Sequence, residues 1–219
     1  MSNAALVRTA GALLFVAGAV LLMGIITAEA LYPAAYSTAG NAISDLGGTE
    51  PPDSVVLQPS ATIFDATMMA VGLLMLAAAW FVHRAVRRRS VTIPLAVLGA
   101  AAFGVGLFPG DTGAPHAIFA MAAFVSGGVA AITSSLVATG PFRYLSMALG
   151  AIALGTLGTY VLLGEGSPMM ELGIGGLERW IVYPVVVWAT AFGGYLAGRG
   201  GIEPVTDAAG PAPRRDRIP

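Results

Sequence analysis

The chain contains no cysteine and only two histidines among its 219 residues. The first absence excludes disulfides, thiol nucleophiles and thiolate metal centres; the second excludes a three-histidine zinc site. Charge is scarce as well: 11% of residues are charged, against about 25% in an average soluble domain. Lysine is missing altogether, so all 11 basic residues are arginines. Neither the clustered positive charge of a nucleic-acid binder nor the low-complexity acidic tract of a disordered region is present. What fills the chain is apolar, with 56% hydrophobic residues, 29 glycines and a mean hydropathy of +0.79. This is the composition of a membrane protein, and its first partner is membrane lipid.

A spanning helix needs about 20 mostly apolar residues, because about 30 Å of hydrocarbon is crossed at about 1.5 Å per residue. Charge-free runs fall at Thr9–Ala28, Ala66–Val82, Ser90–Gly110, Ala117–Phe142, Tyr144–Gly164 and Trp180–Gly198. The second is lengthened by Ala61 to Phe64, which leaves Asp65 near a helix end. The runs predict an all-α membrane protein, a six-helix transmembrane bundle with spans at about 7–31, 61–85, 91–109, 116–138, 143–163 and 177–198. These make one domain over residues 1–200, followed by a disordered cytoplasmic tail over 201–219.

Arginine near span ends is retained in the cytoplasm, whereas acidic residues weigh little. With both termini inside, ten arginines lie in the cytoplasm and only Arg179 lies outside. Nine of the twelve acids then fall on the outer side, Glu29, Asp45, Asp65, Asp111 and Glu178 among them. That split predicts a multi-pass protein of the plasma membrane. Arg8, an apolar stretch and Ala28-Glu29-Ala30 imitate a signal peptide, but the 20-residue core exceeds the usual apolar region of about 7–15 residues, so the segment reads as the first span.

Small residues four apart mark helix seams in lipid. Ala151, Gly155 and Thr159, widened by Ala148 and Gly158, predict such a seam on helix five, and Ala120 with Gly128 predicts one on helix four. Pro94 and Pro115 fall near expected helix starts, where proline costs little. Tyr32, Tyr36, Trp180 and Tyr183 sit where aromatic anchors meet the outer interface.

The polar residues concentrate at the outer end. Ser37 to Gly47 predicts a short amphipathic helix in the first outer loop, with Ala39, Ala42, Ile43 and Leu46 on one face and Asn41, Ser44 and Asp45 on the other. Asp65 lies one turn into helix two. Asp111 and His116 share one tight turn, near enough to bond or to share a ligand. Arg179, the one outer cation, is expected to neutralise a carboxylate. Asp45, Asp65, Asp111, His116, Glu178 and Arg179 are therefore expected to converge beneath the loop helix, as a catalytic or a structural cluster. The residues name no cofactor; a metal held there by oxygen and one imidazole would be zinc or manganese.

Tyr32-Pro33 with Asn41-Ala42-Ile43-Ser44-Asp45-Leu46-Gly47, Phe108-Pro109 with Asp111 and His116, and Gly176-Leu177-Glu178-Arg179 with Tyr183-Pro184 together resemble the domain-of-unknown-function 998 family of small prokaryotic membrane proteins. The resemblance covers roughly residues 7–198. It implies six helices and no particular activity.

Three functions fit these features. One is a lipid- or partner-binding protein whose outer polar residues form a structural lock. Another is an outer-leaflet hydrolase or transferase assisted by a metal. The third is a small transporter, which the charge-free span centres disfavour.

Overall fold

The structure, a computed structural model, describes residues 1–199. Six helices form it: α1 (Asn3–Ala30), α2 (Ser60–Val86), α3 (Arg89–Leu107), α4 (Ala114–Ser134), α5 (Pro141–Leu163) and α6 (Gly173–Gly198). All six are long and apolar enough to cross a membrane, and no strand occurs among the described residues. The expected tail over 201–219 lies outside those residues.

Local chemistry sets the ends. The Ser2 side chain accepts from the Ala5 amide at 3.2 Å and so caps α1. Arg87 ends α2 in the left-handed region at φ 54, its N–H bonding the His83 carbonyl, which lets the chain reverse within two residues. Pro115 opens α4, where its missing N–H has no helical partner to lose. Pro94, expected at a helix start, lies inside α3 instead, because the helix begins earlier, at Arg89. Two other ends also differ from expectation. α4 stops at Ser134, where its bonds tighten into Leu136 to Thr133 and Val137 to Ser134 turns. α6 begins at Gly173, four residues before the expected start at 177.

The helices follow one another round a ring: each packs against its neighbour in sequence, α6 returns to α1, and α4 also touches α6 directly. α5 therefore stands outside the inner ring, with 22% of its most apolar stretch buried against 56% for α3. Glycine pairs set three of the crossings. A β-carbon on Gly72 of α2 would lie 2.7 Å from the Gly99 carbonyl of α3, and one on Gly99 would lie 3.0 Å from the Gly72 carbonyl. Gly11 and Gly193 join α1 to α6, and Gly128 and Gly150 join α4 to α5, in the same reciprocal way. With lipid on all sides there is no water to drive helices together, so such close backbone contact supplies much of the cohesion.

The helix-five seam is thus a correction. Gly155 and Gly158 have nothing within 4 Å of a built β-carbon, and Ser146, Gly150, Ala153 and Leu157 form the buried face. Both rows have small residues at helical spacing. Only the second meets a glycine on α4.

Outside the ring Phe15, Met23, Leu73, Trp80, Ile118 and Leu162 are exposed, an apolar belt suited to hydrocarbon. At one end Arg88 and Arg199 donate to the Leu136 and Val137 carbonyls, and Arg199 lies over the Tyr195 ring. The acids gather at the other end.

Candidate functional site

At the acidic end, the first turns of α6 fasten the loop between α1 and α2. The Arg179 Nη1 group donates to the backbone oxygens of Thr38 at 2.9 Å, Asn41 at 3.1 Å and Gly175 at 3.0 Å. Its Nη2 group donates to Tyr36 Oη at 3.0 Å and to Glu29 Oε1, with which it forms a salt bridge. Glu178, one residue earlier, does the converse and accepts the Ile43 amide at 2.5 Å. The Gly175 amide, unpaired within the first turn of a helix, donates to the Ala39 carbonyl at 2.9 Å. One helix end thus offers this loop both donors and acceptors.

That exchange explains why the loop is not the helix expected over Ser37 to Gly47. In an α-helix the carbonyls of Thr38, Ala39 and Asn41 would accept from amides four residues on. Here α6 takes all three, and Ile43 turns its own amide to Glu178. What remains is a turn at residues 38–40 and a three-residue 3-10 helix, Ser44–Leu46. Asp45 closes it locally, its Oδ2 accepting from the Ala42 amide at 3.0 Å and Asn41 Nδ2 at 3.3 Å.

Tyr36 braces the clamp. Its hydroxyl donates to the Ala42 carbonyl at 2.8 Å while accepting from Arg179. Burial pushes the Tyr36 phenol up to about 12, so it keeps the proton it donates.

The other expected residues fall into different surroundings. Asp65, on α2, has a buried Oδ1 with no hydrogen-bond partner and faces Gly47, where a β-carbon would lie 2.6 Å away. Asp111, in the 3-10 turn Gly110–Thr112, faces the adjacent Gly48. His116 does not turn to Asp111: its Nδ1 meets the Phe108 carbonyl at 2.8 Å, because the end of α3 brings that oxygen over the first turn of α4. Among the described residues no three His, Asp or Glu side chains approach one another closely enough to share an ion.

Below the loop, between α1, α2, α3, α4 and α6, lies a cavity of about 80 Å³. Leu21, Met68, Met75, Leu98, Phe124 and Val185 give it apolar walls, and Ile43, Ser44, His116 and Glu178 line it as well. α5 contributes nothing to the lining. Ordered water needs two to four polar partners, which only the few polar lining residues supply. The remaining space suits hydrocarbon.

Reasoning from sequence missed Glu29 as the carboxylate of Arg179, and it took Tyr36 for an interfacial anchor. Glu29 stands in the last turn of α1, and it was the demand of a lone outer arginine for a partner that pointed to some such acid. No curated protein and no solved structure matches the chain. A family model described as a protein of unknown function (DUF998) matches residues 15–195. That stretch contains α1 from its fourth turn, the clamped loop, every residue of the cavity wall and α6 nearly to its end, and the chain belongs to this family of integral membrane proteins.

Proposed function

We propose that the protein binds lipid in the plasma membrane, with its arginine end in the cytoplasm, its acidic end outside, and its cavity receiving an apolar chain. The observation that carries this reading is the cavity itself, an apolar space inside a ring of spanning helices with polar groups in its lining. Its lining has the character of small-molecule pockets, apolar walls with a few placed polar groups, and its volume of about 80 Å³ suits the end of a chain. The clamp residues fit a structural part in such a protein. The two terminal nitrogens of Arg179 and a carboxylate oxygen of Glu178 bond to the loop, and Arg179 pairs with Glu29, which holds that loop over the bundle.

Native mass spectrometry of the full chain released from lipid nanodiscs tests the reading. Ala120 lines the cavity, so Ala120→Phe places a ring in it. Lipid retained by the wild type and lost from a variant with an unchanged melting temperature supports binding in the cavity. Equal lipid occupancy in the two proteins overturns it.

A further inference from the structure

We infer that the polar lining of the cavity selects a lipid with an uncharged hydroxyl head. The inference rests on the lipid-binding reading and names the class of ligand. Phe108 offers His116 a carbonyl, which only accepts, so His116 Nδ1 carries the proton. In that tautomer the neutral ring has Nε2 left as a lone-pair acceptor. Glu178 is a second acceptor on the same cavity, and it already holds the Ile43 amide. Arg179, the one outer cation, is absent from the lining, and its two terminal nitrogens are engaged by Glu29, Tyr36 and three carbonyls.

The polar lining therefore offers acceptors and a serine hydroxyl but no cation. A phosphate or carboxylate head would bring its negative charge into a lining that holds no arginine, and burial of an unpaired charge is unfavourable. A hydroxyl head can donate to His116 Nε2, which an ether cannot, and it carries no charge. His116 is 4% exposed and Glu178 9%, so water competes weakly for either acceptor.

The test is photolabelling of the full chain in nanodiscs with three probes of one chain length, each carrying a mid-chain diazirine: a primary alcohol, its methyl ether and the matching carboxylate. Adducts are mapped by peptide mass spectrometry. The alcohol is expected to label cavity residues such as Met68 and Met75 about fivefold more than the ether, the factor one neutral hydrogen bond supplies. In His116→Phe that ratio should fall to about one, and His116→Gln, which keeps an acceptor, should restore part of it. Equal labelling by alcohol and ether in the wild type overturns head selection and leaves chain binding standing. Carboxylate labelling as strong as the alcohol's overturns the uncharged head, a preference that survives His116→Phe overturns the role of His116, and cavity labelling by no probe overturns both readings.

Discussion

Arg179 and Glu178 are neighbours in sequence with opposite tasks, one donating to the loop backbone and the other accepting from it. Removing the guanidinium leaves Glu29 without its cation and the Thr38 and Asn41 oxygens without that donor. Arg179→Ala should therefore lower stability, by less than the about 3–5 kcal/mol of a fully buried pair because Glu29 is partly exposed, whereas Arg143→Ala, at an exposed position, should change little. Thermal melts in detergent compare them, and equal melting temperatures would contradict the clamp. Arg179→Lys should recover only part of the loss, because an ammonium cannot reproduce the fork that reaches five acceptors. At Glu178 the need is for an acceptor. Glu178→Gln retains a carbonyl for Ile43 and should stay near wild type, while Glu178→Ala strands a buried amide at about 1–3 kcal/mol; equal melts for these two would remove Glu178 from the account. Arg179 was legible because, among the described residues, it is the only arginine at its end of the bundle. Glu29 was not, because nine acids shared that end and only the packing of α1 on α6 chose among them.

Among the elements, the glycine crossings make the sharpest contrast. Gly72→Ala forces a β-carbon against the Gly99 backbone, where nothing flexible can give way, and should separate α2 from α3 with a clear loss of melting temperature. Gly155→Ala enters open space and should be neutral or stabilising by up to about 1 kcal/mol, the difference in helix propensity. Circular dichroism melts of the two variants check this; a loss at Gly155 as large as that at Gly72 would return the seam to the face first expected from sequence. The spans themselves were legible because hydrocarbon thickness fixes their length. Which stripe of small residues faced a neighbour was not, since Ala151-Gly155 and Gly150-Ala153 differ by one helical position and the choice depends on Gly128 across the gap. The loop likewise carried the apolar spacing of a helix, yet its hydrogen bonds go to residues about 135 positions away, a competition that local periodicity cannot express.

For the whole molecule, the segregation of charge sets the orientation proposed in the membrane. Single cysteines replacing Ser54, in the loop before α2, and Ser90, in the first turn of α3, both exposed, should react with an impermeant thiol reagent in intact cells at position 54 only. Labelling at position 90 alone would invert the molecule. Ring, roof and cavity also depend on one another: α5 stands aside, five helices line an apolar space, and the loop from α1 lies over it through its bonds to α6. The central claim is that this loop is a fixed part of the fold, held by Glu178 and Arg179. Hydrogen–deuterium exchange of the full chain in nanodiscs measures it directly, taking the exposed Asp53 and Ser54 as the fast reference. Peptides covering residues 37–47 should exchange far more slowly than that reference in the wild type and approach it in Arg179→Ala, with α4 and α5 unchanged. Exchange of 37–47 as fast as the reference in the wild type itself would contradict the account.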